Sequence, residues 1–297
     1  MDNLAALITR HAGEGITPTA IPGLSVMRSD TPTEPLGHIV RPSLALVAGG
    51  AKAARLNERR LRYGTGQYLV IGVDLPIVAH ITEASSAAPF LGVGIDLHPA
   101  PIAALLLEAG PARPAGDGPP LGLAISDGSP ALLDAMTRLL SLADEPAHAP
   151  ALAPVYEREI LWRLLTGPQG DLVRQIGLAD SRLTHIARAI RFIREHFSES
   201  IRIEQLAELA AMSASSLHRH FRAVTDMTPI QFQKQVRLQE ARSRLLANPG
   251  DVAGTGFAVG YESASQFTRE YRRMFGAPPG RDARTHRAAT GTAVPTL

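Results

Sequence analysis

The chain has 297 residues, of which 45% are hydrophobic and 20% charged, and its formal net charge is +2. This length favours two domains over one small domain, and the composition is typical of chains with packed cores. The absence of cysteine excludes disulfides, thiolate nucleophiles and cysteine metal sites. We find neither a signal peptide nor an apolar run of about 18 residues that could span a membrane, so we expect a cytoplasmic protein.

Short strands are predicted from about Leu24 to Leu97. Breakers such as Gly49-Gly50 and Gly64-Thr65-Gly66 separate short apolar runs there. The predicted strands are Ser43–Val47, Ala51–Leu56, Arg60–Tyr63, Gln67–Ile71, Ile77–Thr82 and Phe90–Leu97. Regular spacing of short strands with turn signals favours a small antiparallel barrel or sandwich.

Helices are predicted after the strands, from the spacing of apolar residues. The predicted segments are Ile102–Glu108, Pro130–Ala143, Val155–Leu165, Ile186–Phe197, Ile203–Ala210, one helix from near Ser213, Ile230–Ala247 and two within Asp251–Phe275. A Pro- and Gly-rich loop is predicted from Gly110 to Pro120, and Gly167–Asp180 is interpreted as the connection between domains. We therefore predict one domain over residues 1–170, a second over 181–288 and a disordered tail from Ala289.

The charge is unevenly spread along the chain. From Ile186 to Ala288 there are 16 Lys/Arg and 10 Asp/Glu, a net charge of +6, which leaves 14 basic and 18 acidic residues, or −4, elsewhere. A basic C-terminal part and an acidic N-terminal part indicate one polyanion-binding module and one module with another role.

An internal repeat with a period of 50 residues is the strongest pattern in the chain. Each copy has an apolar residue, an Arg two positions on, an aromatic residue at i+4, another Arg, and a Pro eight positions after the aromatic. The paired residues are Leu217, Arg219, Phe221, Arg222 and Pro229 in the first copy, and Phe267, Arg269, Tyr271, Arg272 and Pro279 in the second. The apolar residues share one helical face, so the Arg residues at 219 and 269 project from the other.

A tight turn and a shorter helix precede each repeated helix. Met212-Ser213 forms the first turn and Val259 to Ser263 the second, and Ser213 and Ser263 are the predicted N-caps. Two short helices around such a turn form a helix-turn-helix, whose second helix enters the major groove of DNA.

These residues carry a resemblance to a known family. The stretches LAELAAMSASSLHRHF and VGYESASQFTREYRRMFGAPP resemble the two helix-turn-helix signatures of AraC/XylS-type transcription regulators, and the likeness covers about Ile186 to Ala288. RPSLALVAGGAKAARL, RYGTGQYLVIGVDLPIVAHITEAS and EREILWRLLTGPQG resemble the cupin-type effector domain of one subgroup.

The resemblance implies an α+β chain. A cupin-like β-barrel with flanking helices would be followed by an all-α domain of seven helices, in which a long helix over about Ile230–Ala247 joins two helix-turn-helix units. The implied partner is double-stranded DNA. Contact with RNA polymerase and formation of a homodimer are left open.

The resemblance also implies which residues contact DNA. Base edges would be contacted by Ser215, His218, Arg219, Ala264, Ser265, Thr268 and Arg269. Because Arg can donate two hydrogen bonds to guanine, Arg219 and Arg269 are the strongest candidates for sequence specificity. Arg222, Arg272 and Arg273 are expected to meet phosphates.

Two departures from the family pattern stand out. Thr255 and Gly256 replace a branched aliphatic residue and Ala in the first helix of the second unit, with Gly254 nearby. Because each Gly costs about 0.5–1 kcal/mol relative to Ala in a helix, we expect this helix to be frayed without DNA. Asp226 stands where the family tends to have Gly, and Asp tolerates left-handed geometry.

The sequence contains no pattern typical of a catalytic or metal site. His218 and His220 are two apart on a predicted helix and point away from each other, while His80 and His98 each stand alone. There is no GxGxxG phosphate loop and no GxSxG elbow. We therefore predict no metal, no cofactor and no enzymatic activity.

The N-terminal domain is predicted to bind a small-molecule effector, because barrel mouths commonly do so. Arg41, Tyr68 and His80 are candidates for polar pocket groups or for structural roles, and the sequence identifies neither the effector nor its binding residues. Two alternatives remain: a ligand-independent regulator whose N-terminal domain only dimerises, and a cupin-like enzyme with a DNA-binding tail.

Overall fold

The structure is a computed structural model that describes residues 1–13, 15–108, 122–248 and 250–289, with side chains as far as Arg284. The predicted loop from Gly110 to Pro120 and the predicted tail beyond Ala289 lie outside the described residues.

Two antiparallel sheets form the N-terminal part. Their strands are β1 (Gly15–Pro18), β2 (Leu24–Ser29), β3 (Leu36–Val40), β4 (Ser43–Gly49), β5 (Ala51–Leu56), β6 (Arg59–Gly64), β7 (Gln67–Ile71), β8 (Leu75–Glu83), β9 (Phe90–Asp96) and β10 (Leu123–Asp127). The larger sheet has the order β1-β2-β9-β4-β7-β10, and the smaller has the order β3-β8-β5-β6. All six strands predicted individually are present, within a few residues at their ends.

Five helices accompany the sheets. They are α1 (Asp2–His11), α2 (Pro99–Glu108), α3 (Pro130–Ser141), α4 (Ala149–Thr166) and α5 (Gly170–Gly177). Helix α1 packs across β2, β4 and β9 and also contacts α3, which in turn packs on α4. This arrangement buries one face of the larger sheet, where Leu24, Leu44 and Ile95 are each at most 7% exposed.

Helix α5 lies within the segment from Gly167 to Asp180, which is interpreted from the sequence as the connection between domains. Leu172, Val173 and Ile176 are buried on one face of α5. This face packs against α2 and α4. The helix is only 8 residues long and has Gly at both ends, so its short apolar pattern resembles that of a loop.

Seven helices follow from Arg182 to the end of the described chain. They are α6 (Arg182–Glu195), α7 (Ile203–Leu209), α8 (Ala214–Thr225), α9 (Pro229–Ala247), α10 (Val252–Ala258), α11 (Ala264–Phe275) and α12 (Pro279–Ala289). Long helix α9 begins with a capping box, in which Thr228 and Gln231 each satisfy the other's backbone amide. Antiparallel sheets followed by helices with helix-turn-helix units confirm the predicted α+β class.

The two helix-turn-helix units differ in what they pack against. One continuous hydrophobic core extends from the sheets through α5, α6, α7 and α8 to Phe232 and Val236 of α9. A separate core holds α10, α11 and α12 on the C-terminal half of α9, around Phe267 and Tyr271. The first unit is therefore built onto the sheet domain, whereas the second forms its own small body.

Candidate nucleic-acid interface

The first unit consists of α7, a turn and α8. Leu217 and Phe221 of α8 are fully buried and hold this helix against the core. The hydroxyl oxygen of Ser213 accepts a hydrogen bond from the Ser216 amide at 3.3 Å, which confirms the predicted cap. Helix α8 ends at Asp226, whose φ of 59° is left-handed, as its side-chain type allows.

The second unit repeats this design with α10 and α11. Phe267 and Tyr271 are fully buried, and the Ser263 hydroxyl accepts from the Gln266 amide at 3.4 Å. Helix α11 ends at left-handed Gly276, which corresponds to Asp226. The sequence repeat therefore corresponds to a repeat of local structure.

The turn of the second unit is one residue longer than that of the first. Helices α7 and α10 begin 49 residues apart, whereas α8 and α11 begin 50 apart. The matching turn hydrogen bonds run from Met212 N to Ala207 O at 2.9 Å and from Tyr261 N to Gly256 O at 3.0 Å. The extra residue lies after Tyr261. Helices α8 and α11 therefore need not be presented to a ligand in the same way.

Most of the predicted DNA-contacting residues lie on the outer faces of α8 and α11. The exposed ones are Ser215, His218, Arg219, Arg222, Ser265, Arg269, Arg272 and Arg273. Ala264 and Thr268 are half-buried, and the Thr268 hydroxyl donates to Ala264 O at 2.8 Å within its own helix. None of the five arginine side chains forms a hydrogen bond or ion pair within the described chain. Their guanidinium groups are thus available to an anionic partner.

Arg237 of α9 ties the second unit to the first. Its guanidinium donates to Phe197 O at 2.6 Å, to Glu199 O at 2.9 Å and to Gly260 O at 2.8 Å. The first two carbonyls follow α6, and the third belongs to the turn of the second unit. Gly260 has a φ of 91°, and a Cβ atom there would lie 2.2 Å from Ser198 O. These contacts hold the turn of the second unit against the segment that joins α6 to α7, and no local pattern in the sequence indicates them.

A polar cluster supports the start of α11. Glu270 accepts from Lys234 at 3.0 Å, from the Tyr261 hydroxyl at 3.0 Å and from Gln266 at 3.2 Å. These hydrogen bonds and the charge of Lys234 oppose burial and lower the pKa of Glu270, while burial raises the pKa of Tyr261. Glu270 therefore remains ionised and joins α9 to α11.

A buried ion pair fastens α12 to α9. Arg242 donates to both carboxylate oxygens of Asp282, at 2.8 and 3.1 Å, and the Tyr271 hydroxyl donates to the same carboxylate at 2.8 Å. Arg242 is 5% exposed and Asp282 is 6% exposed. A bidentate pair of this kind gives the small second body a specific geometry.

The sheet domain contacts the C-terminal end of α8. The Asn57 side chain, in the β5–β6 turn, donates to Asp226 O at 2.9 Å, and the Gly122 amide donates to Val224 O at 3.1 Å. Arg194 of α6 forms an ion pair with Asp74. The sheet domain thus holds the end of α8 that is opposite its exposed N-terminal half.

The remaining candidates lie elsewhere. Tyr68 is buried, with its hydroxyl near Gly167 at the end of α4, Arg41 is 3.5 Å from Asp96 in an exposed ion pair, and His80 is half-buried on β8. Burial and then the charges of Arg219 and Arg182 lower the pKa of His220.

The described residues contain no group of three or more His, Asp or Glu placed to hold a metal ion. None of the described helices is long and apolar enough to cross a membrane.

Comparisons with curated proteins find similarity to known transcription regulators. It is 29% identical over 158 residues to the transcriptional activator RhaS of Escherichia fergusonii, covering 51% of this chain and 56% of that protein. It is 32% identical over 172 residues to the transcriptional regulator CdhR of Pseudomonas aeruginosa, covering 56% and 48%. The chain spans about half the length of the curated relatives it matches.

The fold has a solved counterpart. ToxT from Vibrio cholerae, in a crystal structure with a bound unsaturated fatty acid, superimposes with a TM-score of 0.54 at 7% identity, covering 88% of this chain and 93% of that one. At this identity the likeness concerns the fold alone.

Two family models together match most of the chain. Residues 206–285 match a helix-turn-helix domain, and residues 20–172, just over half of the chain, match the N-terminus of AraC-type transcriptional regulators. The chain belongs to the family of AraC-type transcriptional regulators.

Proposed function

We propose that the chain is a sequence-specific DNA-binding transcription regulator whose two helix-turn-helix units bind neighbouring segments of one duplex. The observation that carries the proposal is the pair of matching helices, α8 and α11, with exposed and unpaired arginines at equivalent positions. Arg219 and Arg269 would donate to guanine, and the arginines at 222, 272 and 273 would meet phosphates.

Selection of bound sequences from a pool of random duplexes tests this proposal, with the full chain as bait. We expect an enriched motif in two parts, one for each unit. We also expect Arg222→Ala to weaken binding to all duplexes alike and to reduce the salt dependence of affinity by about one phosphate contact. Binding without any enriched motif would contradict sequence-specific recognition.

The N-terminal domain would bind a small-molecule effector. This part of the proposal is supported by the family match and by the continuous core that joins the sheets to α8. An effector that favours one arrangement of the sheets and the first unit would shift the population of DNA-binding forms. The contacts from Asn57 to Asp226 and from Gly122 to Val224 provide the route, because they link the sheets to α8 directly.

A homodimer would form through the N-terminal helices. Three large apolar residues on α4 are 38–56% exposed, namely Leu152, Val155 and Trp162, and Leu107 of α2 is 88% exposed. A groove of about 400 Å³ lies between these two helices. Sedimentation of the full chain and of Trp162→Ser tests this surface, and an unchanged monomer–dimer equilibrium would argue against it.

Contact with RNA polymerase and a cytoplasmic location stay predictions.

Two alternative functions can be distinguished from the proposed one. A ligand-independent dimeric regulator would show the same DNA affinity and promoter output under every growth condition. The family consists of transcriptional regulators, which disfavours the reading as an enzyme with a DNA-binding tail.

A further inference from the structure

Lys52 lies on the inner face of the smaller sheet, towards the larger one. It is directly opposite Ile81 of β8 and Tyr63 of β6, which are 0% and 3% exposed. Residues paired across antiparallel strands share a face. The outer face carries the alternate residues of β3 and β8, such as Gly37 and Val78, where Gln239 of α9 packs.

Open space lies in front of one row of small residues on the larger sheet. On the larger sheet, Ser25, Gly94 and Ala45 form one row across β2, β9 and β4, on the face opposite the one covered by α1. All three are small, and each remains partly exposed although it lies on a central strand. A Cβ atom at position 94 would find only Ser25 Oγ at 3.5 Å and Leu44 O at 3.6 Å within 4 Å, both from its own sheet. The facing sheet therefore does not fill the space in front of Gly94.

The inner face carries a positive charge without a counter-ion. The Lys52 ammonium makes no hydrogen bond or ion pair within the described chain, nor does the Tyr63 hydroxyl. Asp96, on the inner face of the larger sheet, is already paired with Arg41. Burial lowers the pKa of Lys52. His38, on edge strand β3, shares this face of the smaller sheet although its side chain reaches solvent, and desolvation and then the charge of Lys52 lower its pKa to about 4.

We propose that the space between the sheets binds a small organic carboxylate, held by the Lys52 ammonium and the Tyr63 hydroxyl, with its apolar part against Ala45 and Gly94. The proposal rests on the proposed function, because it names the chemical class of the effector. A desolvated ammonium is costly without a partner, and a carboxylate with a hydrogen-bond donor beside it offsets that cost. A neutral ligand of the same shape would leave the charge uncompensated.

The chain offers an internal reference for the test, because it has only two lysines, Lys52 and Lys234. Lys234 is in the C-terminal domain, paired with Glu270 at 3.0 Å. Reductive methylation of the native full chain, followed by peptide mass spectrometry, gives the modification rate of each. The probes are hexanoate, octanoate, benzoate and phenylacetate, each beside its neutral amide.

We expect at least one carboxylate to slow the modification of Lys52 by about tenfold at ten times its dissociation constant, since protection follows occupancy. The rate of Lys234 should not change, and the matched amide should give no protection. Protection by no carboxylate, or equal protection by acid and amide, would overturn the proposal.

A pair of variants separates this inference from a folding defect. Lys52→Met keeps the length of the side chain without its charge, and should abolish the rise in melting temperature that the protecting carboxylate causes in the parent chain. Arg60→Met removes an exposed cation from the outer face of neighbouring β6 and should retain that rise. An equal rise in both variants would overturn the role of Lys52.

The failure of this inference is distinguishable from that of the proposed function. If no carboxylate binds but the random-duplex selection still yields a two-part motif, the regulator remains and its effector is not an anion held by Lys52. If a carboxylate binds and no motif is enriched, the inner site stands and the DNA proposal fails.

Discussion

Gly256 of α10 lies directly against the ring of Phe267 on α11, so closely that a Cβ atom at 256 would come within 2.9 Å of Phe267 Cδ1. The equivalent pair in the first unit is Ala207 and Leu217, a larger residue on the first helix and a smaller one on the second. The glycine that departs from the family pattern thus makes room for the phenyl ring. Fraying of α10 without DNA stays a prediction.

Gly256→Ala should therefore destabilise the second unit, although Ala favours helix. Helix propensity would contribute about 1 kcal/mol of stability, while forcing an extra carbon into a packed core costs about 1–3 kcal/mol. Hydrogen exchange of the α10 and α11 amides measures the effect within that unit.

The double variant with Gly256→Ala and Phe267→Leu restores the pairing of the first unit and serves as the control. We expect it to recover most of the stability that Gly256→Ala loses. If the stability loss of the double variant equalled the sum of the losses of the two single variants, the two residues would not share one packing constraint.

Arg237→Lys should loosen the spacing between the two halves of the DNA motif. A lysine cannot reproduce the three hydrogen bonds from one guanidinium to Phe197, Glu199 and Gly260, and hydrogen bonds from charged groups contribute about 1.5–3 kcal/mol each. Random-duplex selection should return one spacing for the parent chain and several for the variant. Arg244→Lys, at an exposed ion pair on the same helix, is the matched control. A single unchanged spacing in both variants would refute the positioning role.

Gln239→Met should stabilise the chain. Gln239 is 6% exposed on α9, and neither its amide nitrogen nor its amide oxygen has a hydrogen-bond partner in the described chain. Unpaired buried amide groups cost about 1–3 kcal/mol, and methionine fills a similar volume without them. Chemical denaturation should show a higher free energy of unfolding, whereas half-buried Gln235→Met should show little change. A loss of stability in Gln239→Met would mean that the amide is satisfied in solution.

His38 should make stability depend on pH below neutrality. Its pKa is lowered from 6.5 to about 4, chiefly by burial and then by the charge of Lys52. The unfolded chain therefore binds a proton at His38 between these two pH values and the folded chain does not. The stabilisation is complete above pH 6.5 and is lost as pH falls towards 4. In urea titrations across this range, His38→Gln should show a shallower loss than the parent chain, and an identical profile would show that the His38 ring keeps its ordinary pKa in the folded chain.

Local patterns in the sequence predict much of this fold. The alternation in runs such as Gln67–Ile71 and the caps at Ser213 and Ser263 fix strands and helices through neighbouring residues alone. The 50-residue repeat predicts both helix-turn-helix units, because equivalent apolar residues must be buried in equivalent ways. Short α5 is different, since its helical state depends on packing against α2.

The residues that sequence reasoning missed act over long separations. Arg237 binds carbonyls at Phe197 and Glu199, and no local pattern identifies a guanidinium that caps backbone oxygens about 40 residues away. For Lys52 a signal did exist: it shares the parity of buried Ala54 and Leu56 in one predicted strand. A cation at an inward position of a strand was the clue to the inner space.

The central claim is that α8 and α11 each present one arginine to bases of the same duplex. Random-duplex selection with Arg219→Ala and, separately, Arg269→Ala tests it most directly. Each variant should lose base preference in one half of the motif only, a different half in each case, with a cost of about 1–3 kcal/mol on the parent site. Retention of the complete motif by both variants would contradict the claim.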